Sequence, residues 1–183
     1  MLALVFAKPR SIASEPELYD AAIKILMRRA HSVSEMKKAL IRRTADEDLI
    51  HKVIARLKQS GLIDDARYAK QFARQRTQIR KQGKFRVARE LRARGVPDRH
   101  IEPALAEAVS EVDEAAVVRQ RIERKLKYLS GSVAGKRLDD KKVASLYRSM
   151  LRAGFSADTI RGELRRLTSL ELPEAEYSSD ETV

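Results

Sequence analysis

The chain has 183 residues and a formal net charge of +12, from 38 Lys and Arg against 26 Asp and Glu, and it contains no cysteine. The lack of thiols excludes a disulfide framework and a thiolate metal site, and the length allows one large domain or several very small ones. Everything after Leu167 carries five acids, Glu171, Glu174, Glu176, Asp180 and Glu181, and no base, so the preceding 167 residues carry +17, a field that draws polyanions or acidic protein surfaces.

Residues 1–15 show no dependable period and include Pro9, Ser11 and Ser14; they are expected to form a flexible arm, with Pro16 near the start of ordered structure. The opening MLALVFA is apolar but too short for a secretory or spanning segment, so a soluble cytoplasmic chain with no membrane partner is expected. Residues 16–63 read as a first three-helix unit. Leu18, Ala22, Ile25 and Leu26 have helical spacing, Ser32 and Glu35 form a capping-box pair ahead of Met36, Ala39 and Leu40, and Leu49, Ile50, Val53, Ile54 and Leu57 mark a third helix that Gly61 closes.

Residues 64–111 repeat that order and contain the most basic stretch of the chain. From Arg67 to Arg94 there are eleven Lys or Arg residues and a single acid, Glu90. Asp64 and Asp65 stand where a helix needs acceptors for its first amides, and both read as caps. The apolar stripe of that helix runs through Ala69, Phe72 and Ile79, Gly83 breaks the pattern, Val87 and Leu91 carry the next helix, and Gly95 sits where a left-handed residue ends it. Pro97 and Asp98 open a third helix through Ile101, Leu105 and Ala108, with Pro103 early enough to bend its first turns.

The two units align at a constant offset of 51, which carries Met36, Leu40, Ile50 and Ile54 onto Val87, Leu91, Ile101 and Leu105. An offset of 59 carries Val87, Gly95, Ile101 and Leu105 onto Leu146, Gly154, Ile160 and Leu164, so residues 112–167 read as a third unit with its extra residues in a flexible basic loop from Gly131 to Asp140. Its first helix is marked by Ala115, Val118, Ile122, Leu126 and Leu129, its second by Val143, Leu146, Tyr147 and Met150. Residues 168–183 form the acidic tail. The expected fold is all-α, an elongated tandem array of three three-helix repeats, each gaining apolar burial from its neighbour.

Catalytic patterns are absent from this reading. His31, His51 and His100 have no metal-ligand partner three or four positions away, and the loop GSVAGKR has three residues between its glycines and Arg137 after Lys136, where a phosphate loop needs four and a Ser or Thr. No enzyme activity, metal or cofactor is expected. Lys70, Arg74, Lys81, Lys84, Arg86, Arg89 and Arg92 have no core assignment and are the candidates for binding phosphates or carboxylates. Arg76 shares the stripe of Ala69 and Phe72, so its stem is expected along the core edge, with its guanidinium either at the rim or paired with Asp64, Asp65 or Glu90. Tyr68 and Phe72, four apart, are expected to seal the junction between repeats, base stacking being the weaker reading.

The run GLIDDARYA, the Phe72–Arg76 spacing, Gly83 and the block VARELRARGVPDRHIEPAL at residues 87–105 together resemble the RecX regulators of the bacterial RecA recombinase. The weaker first and third copies extend the resemblance over roughly residues 18–167. One departure is Lys84, where many members have proline after the glycine. The resemblance implies a monomeric array of three-helix repeats that binds the RecA filament on single-stranded DNA, lies along its groove, and suppresses strand exchange, ATP hydrolysis and co-protease activity. It implies a structural and contact core at Tyr68, Phe72 and Arg76, a motif framed by Asp64, Asp65, Gly83, Leu91 and Gly95, and a filament-facing surface in the neighbouring bases, with direct DNA contacts possible. Two other classes stand beside it: a DNA-binding protein with helix-turn-helix-like units, and a scaffold that binds protein alone.

Overall fold

The computed structural model describes residues 12–129 and 140–168, so the expectations for residues 1–11, for the basic loop before Asp140 and for the acidic tail beyond Thr168 lie outside the described residues. The rest is helical and falls into three groups: α1 (Glu15–Leu26), α2 (Val33–Ile41) and α3 (Glu47–Gln59); α4 (Asp65–Arg74), α5 (Lys84–Ala93) and α6 (Asp98–Ser110); α7 (Glu114–Leu129), α8 (Asp140–Arg152) and α9 (Ala157–Thr168). Their starts follow from local chemistry. Ser32 and Glu35 complete the reciprocal capping box of α2, Asp46 accepts the Leu49 amide, and Asp64 accepts the Ala66 and Arg67 amides. Pro16 lies in the first turn of α1, where its missing N–H costs nothing.

Each group encloses its own apolar cluster. Leu18, Met36, Leu40, Ile50 and Leu57 centre the first, Phe72, Val87, Leu91 and Ile101 the second, and Ile122, Met150, Ile160 and Leu164 the third. The repeat offsets therefore map the apolar positions Met36, Leu40 and Ile50 onto Val87, Leu91 and Ile101, all buried, and Ile54 onto the partly buried Leu105. What joins the clusters differs from the expected apolar sharing, because the joints are built from hydrogen bonds, ion pairs and close backbone approaches.

The joints follow one pattern. The Ser32 hydroxyl at the start of α2 donates to the Arg94 carbonyl at the end of α5 over 2.6 Å, and the Gly83 amide at the start of α5 donates to the Ala153 carbonyl after α8 over 2.9 Å. Ser32 and Gly83 are related by the offset of 51, Arg94 and Ala153 by the offset of 59. In both joints, the end of the second helix of one unit seats on the start of the second helix of the unit before it. The equivalent carbonyl of the first unit belongs to Arg43, and it accepts the Ile12 amide at 2.9 Å. Ile12, expected in a loose arm, thus occupies the place a preceding repeat would fill, and it packs on the first cluster.

Close approach decides the glycines at these joints. Gly95 has φ +71°, as its position after α5 demands, and a Cβ there would lie 2.3 Å from the Ser34 hydroxyl oxygen. Gly83 has an ordinary φ of −74° and does not serve as a left-handed stop; that conformation falls to Lys81, at φ +52°. Glycine is needed at 83 because a Cβ would lie 2.1 Å from the carbonyl of Gly154.

The sequence stripe fails at one place in α4. The helix continues from Arg74 as a π-helical turn, Gln75–Ile79, in which the Arg80 amide reaches back to Gln75. The Thr77 hydroxyl donates to the Ala73 carbonyl at 2.9 Å, competing with the backbone for that acceptor. One extra residue in the turn rotates everything after it, so Thr77 is buried and Ile79, expected on the core stripe, is 76% exposed.

Two outcomes check this architecture. Scattering from the monomer gives a radius of gyration clearly above the roughly 15 Å of a compact chain of about 150 residues. Gly83→Ala, which suffers no backbone strain, leaves helical content by circular dichroism intact and changes the scattering profile; an unchanged profile would show that the glycine contact does not set the angle between the second and third units.

Candidate functional site

Of the predicted motif residues, Asp65, Tyr68 and Gly95 meet the first unit, Phe72 lies beside Tyr68, Leu91 lies in the core of the second unit and Gly83 meets the third. Asp64 caps α4 as expected, but Asp65 does not cap its own helix: its carboxylate accepts the Val33 amide of α2 at 2.9 Å, a cap in trans that ties the units together. Glu35 is the hub. It accepts hydrogen bonds from Arg29 at 3.0 Å, Arg94 at 2.7 Å, the Tyr68 hydroxyl at 3.3 Å and the Ser32 amide at 3.3 Å. Burial works to raise its pKa, and the Arg29 hydrogen bond, the Ser32 amide and the charges of Arg29 and Arg94 outweigh that, holding it below the ordinary carboxylate value. Burial pushes the Tyr68 hydroxyl the other way, upward.

Tyr68 and Phe72 stack with centroids 6.0 Å apart, and the guanidinium carbons of Arg76 and Arg94 lie 4.7 and 5.0 Å from the Phe72 centroid. Phe72 is buried under these groups, so this pair seals the junction and offers no open face to a base. Arg76 is itself largely enclosed, its side chain 16% exposed, with Nε 3.5 Å from the Glu90 carboxylate. Of the partners its position allowed, Glu90 is the one it has, and Arg86 shares that carboxylate at 3.0 Å.

The remaining predicted bases divide into two environments. Lys70 pairs with Glu107 at 2.8 Å, Arg92 with Asp98 at 2.7 Å, and Arg74 donates to the Gln78 side chain at 3.1 Å, which in turn bonds Glu111. Acids of α6 and Glu111 just beyond it thus screen these bases of α4 and α5. Lys81 and Arg89 are exposed and have no ion pair among the described residues, and Lys84 lies 5.2 Å from the centroid of Phe85, a ring that is itself 57% exposed.

The turn between α4 and α5 also gathers residues that the sequence reading passed over. Arg80 continues the exposed run, and its carbonyl accepts a hydrogen bond from Arg121 of α7 at 3.2 Å. Burial, then the neighbouring charges of Arg124 and Arg86, push the Arg121 guanidinium below its ordinary pKa. Phe85 had a faint sequence signal, an aromatic off the Val87–Leu91 stripe inside a basic run. Arg121 and Arg124 had none, since they lie some forty residues away and reach this surface only through the Gly83–Gly154 joint. Among the described residues no group of three or more His, Cys, Asp or Glu side chains is placed to hold a metal ion, and no helix is long and apolar enough to cross a membrane.

Comparison with known proteins identifies this arrangement. The family profile described as RecX, first three-helix domain, matches residues 19–57, and that described as RecX, second three-helix domain, matches residues 64–105. A protein of Halorhodospira halophila named regulatory protein RecX is 37% identical over 81% of this chain and 87% of its own length. The chain belongs to the RecX family. A second RecX, from Prosthecochloris aestuarii, is 35% identical over 81% of this chain and 91% of its own length. The crystal structure of RecX from Lactobacillus salivarius has the same fold, with a TM-score of 0.72 at 22% identity over 85% of this chain and 97% of that one. In this RecX family member the first profile spans the helices that supply Glu35 and Met36, and the second spans the whole Asp64–Leu105 block that meets them.

The depressed pKa of Glu35 gives the first joint a pH dependence of fixed sign. A carboxyl whose folded pKa lies below its ordinary value of 4.5 contributes fully above that value, and the contribution is lost as pH falls through the folded pKa. Glu35→Gln is therefore expected to lower stability by roughly 1–3 kcal/mol near neutral pH, and the gap to the parent chain closes on acidification below pH 4.5; thermal melts of both chains across that range check it.

Proposed function

We propose that this RecX family member regulates the RecA recombinase, binding as a cytoplasmic monomer to the RecA filament on single-stranded DNA and inhibiting its ATPase, strand exchange and co-protease activities. Membership of the family over four-fifths of the chain carries this reading. The chemistry of the surface supports it, since an extended array with unneutralised cations near its middle joint suits a long anionic assembly. The cations proposed to make the strongest contacts are Lys81, Lys84, Arg89 and Arg80. Lys70, Arg74, Arg86 and Arg92 contribute by exchanging partners, because exposed pairs of the Lys70–Glu107 kind are worth only about 0–1 kcal/mol and are easily traded for phosphate or carboxylate. Arg76, enclosed by Glu90 and Phe72, acts through the shape of α4.

An elongated array touching more than one recombinase subunit gains from effective concentration, so inhibition is expected below one chain per recombinase. The competing reading, sequence-specific DNA binding through helix-turn-helix-like units, asks the third helix of a unit to read bases, yet α6 presents the exposed acids Glu102 and Glu107, which phosphates repel. DNA-dependent ATPase and strand exchange measured at fixed DNA with rising amounts of the chain test the proposal. Substoichiometric inhibition is expected, and Lys81→Glu/Lys84→Glu/Arg89→Glu, once shown to be helical, should weaken filament binding far more in low salt than in high. Tight binding to naked duplex at physiological salt with none to the assembled filament would overturn the assignment.

A further inference from the structure

The surface at the α4–α5 turn has an unusual composition for a solvated face. Ile79 and Phe85 are 76% and 57% exposed, and the cations of the same turn, Arg80, Lys81 and Lys84, together with Arg124 near Arg121 on α7, have no carboxylate partner among the described residues. Large apolar side chains set among cations that outnumber the nearby acid, Glu114, which shares a pocket with Lys81 and Lys84, mark a docking surface, and the complement is a segment combining acids with apolar side chains. The chain contains one. Residues 169–183 carry all five tail acids and no base, with Leu170, Leu172 and Tyr177 interspersed among them.

The fold delivers that segment to the right place. Helices α7 and α9 run parallel, because Glu114 meets Thr159 and Arg119 meets Glu163 at 2.7 Å, partners 45 and 44 positions apart. Both helices rise at the same rate per residue, so the same spacing sets Thr168, the last residue of α9, level with Arg124. Arg121 lies one turn earlier on α7 and reaches the Arg80 carbonyl. The fifteen residues that follow Thr168 span up to about 50 Å when extended, ample to cross from the end of α9 to the α4–α5 turn.

We propose that the acidic segment 169–183 docks in cis on the Arg80–Phe85 turn and the adjoining α7 arginines, with its leucines against Ile79 and Phe85, and so competes with anionic partners for that surface. The competition rests on the reading of this surface as the filament contact; the docking itself does not. Removing the negative charge of the segment should strengthen binding to a polyanion, and raising salt should erase the difference, because the contact is between exposed charges. A segment held at an effective concentration of about 1 mM and binding with a dissociation constant of about 0.1 mM masks the surface about tenfold.

The cysteine-free sequence allows a direct test in the full chain. Ser179→Cys, carrying a nitroxide, should broaden the amide signals of residues 79–85 and 121–124 in low salt, and that broadening should vanish in about 1 M salt, where the screening length is about 3 Å. Introducing Arg80→Glu/Lys81→Glu/Lys84→Glu into the labelled chain should abolish it as well. In parallel, neutralising the segment with Glu171→Gln/Glu174→Gln/Glu176→Gln/Asp180→Asn/Glu181→Gln should tighten binding of a fluorescent oligothymidylate about tenfold in low salt. Broadening that is absent, or that survives the charge reversal, overturns the docking site. Unchanged oligothymidylate affinity with the neutral segment overturns the competition. Neither nitroxide readout involves recombinase, so each stands or falls separately from the filament assays.

Discussion

The structure depends on a backbone carbonyl. At the end of each second helix, the carbonyl of Arg43, Arg94 or Ala153 receives a donor from earlier in the chain: the Ile12 amide ahead of α1, the Ser32 hydroxyl at the start of α2 or the Gly83 amide at the start of α5. A helix end leaves its last carbonyls without intrahelical partners, and a helix start leaves its first amides likewise. Each of these bonds satisfies such a carbonyl, at the second joint the Gly83 amide is satisfied with it, and the contact fixes the approach of neighbouring units to within the tolerance of a hydrogen bond. Gly95 and Gly154 permit that approach by having no Cβ to meet Ser34 or Arg86. A three-helix unit of about fifty residues has too little core to be robust alone, and here the neighbours support each other through saturated polar ends while each keeps a separate apolar cluster.

The joints also decide how the charge is used. At the first joint, cations are matched: Arg29 and Arg94 converge on Glu35, and Asp65 closes the start of α2. At the second joint the same close seating brings Arg121 against the Arg80 carbonyl with Arg86 and Arg124 nearby, and Glu90 is the carboxylate that answers Arg76 and Arg86 together. One fold device, repeated, therefore produces a neutralised structural seam at one end of the central unit and an uncompensated basic surface at the other. The π-helical turn after Arg74 contributes by turning Ile79 out to that surface and Thr77 inward.

Local chemistry alone specified much of this molecule. Three units related by offsets of 51 and 59, the capping box at Ser32 and Glu35, the cap at Asp64, the left-handed Gly95 and the core positions from Met36 to Leu164 were legible in the sequence because they are interactions between near neighbours, repeated at helical spacing. Tertiary structure alone decided the rest. Asp65 became a cap for another unit, Gly83, a break in the helical pattern, became a point of backbone contact, Ile79 a surface residue and Arg76 a partner of Glu90. The basic run from Arg67 to Arg94 looked uniform, but it is screened by α6 on one side and reinforced by α7 on the other. Whether a cation is matched depends on which carboxylates the joints bring within a few ångströms, a relation between residues tens of positions apart that no local period encodes.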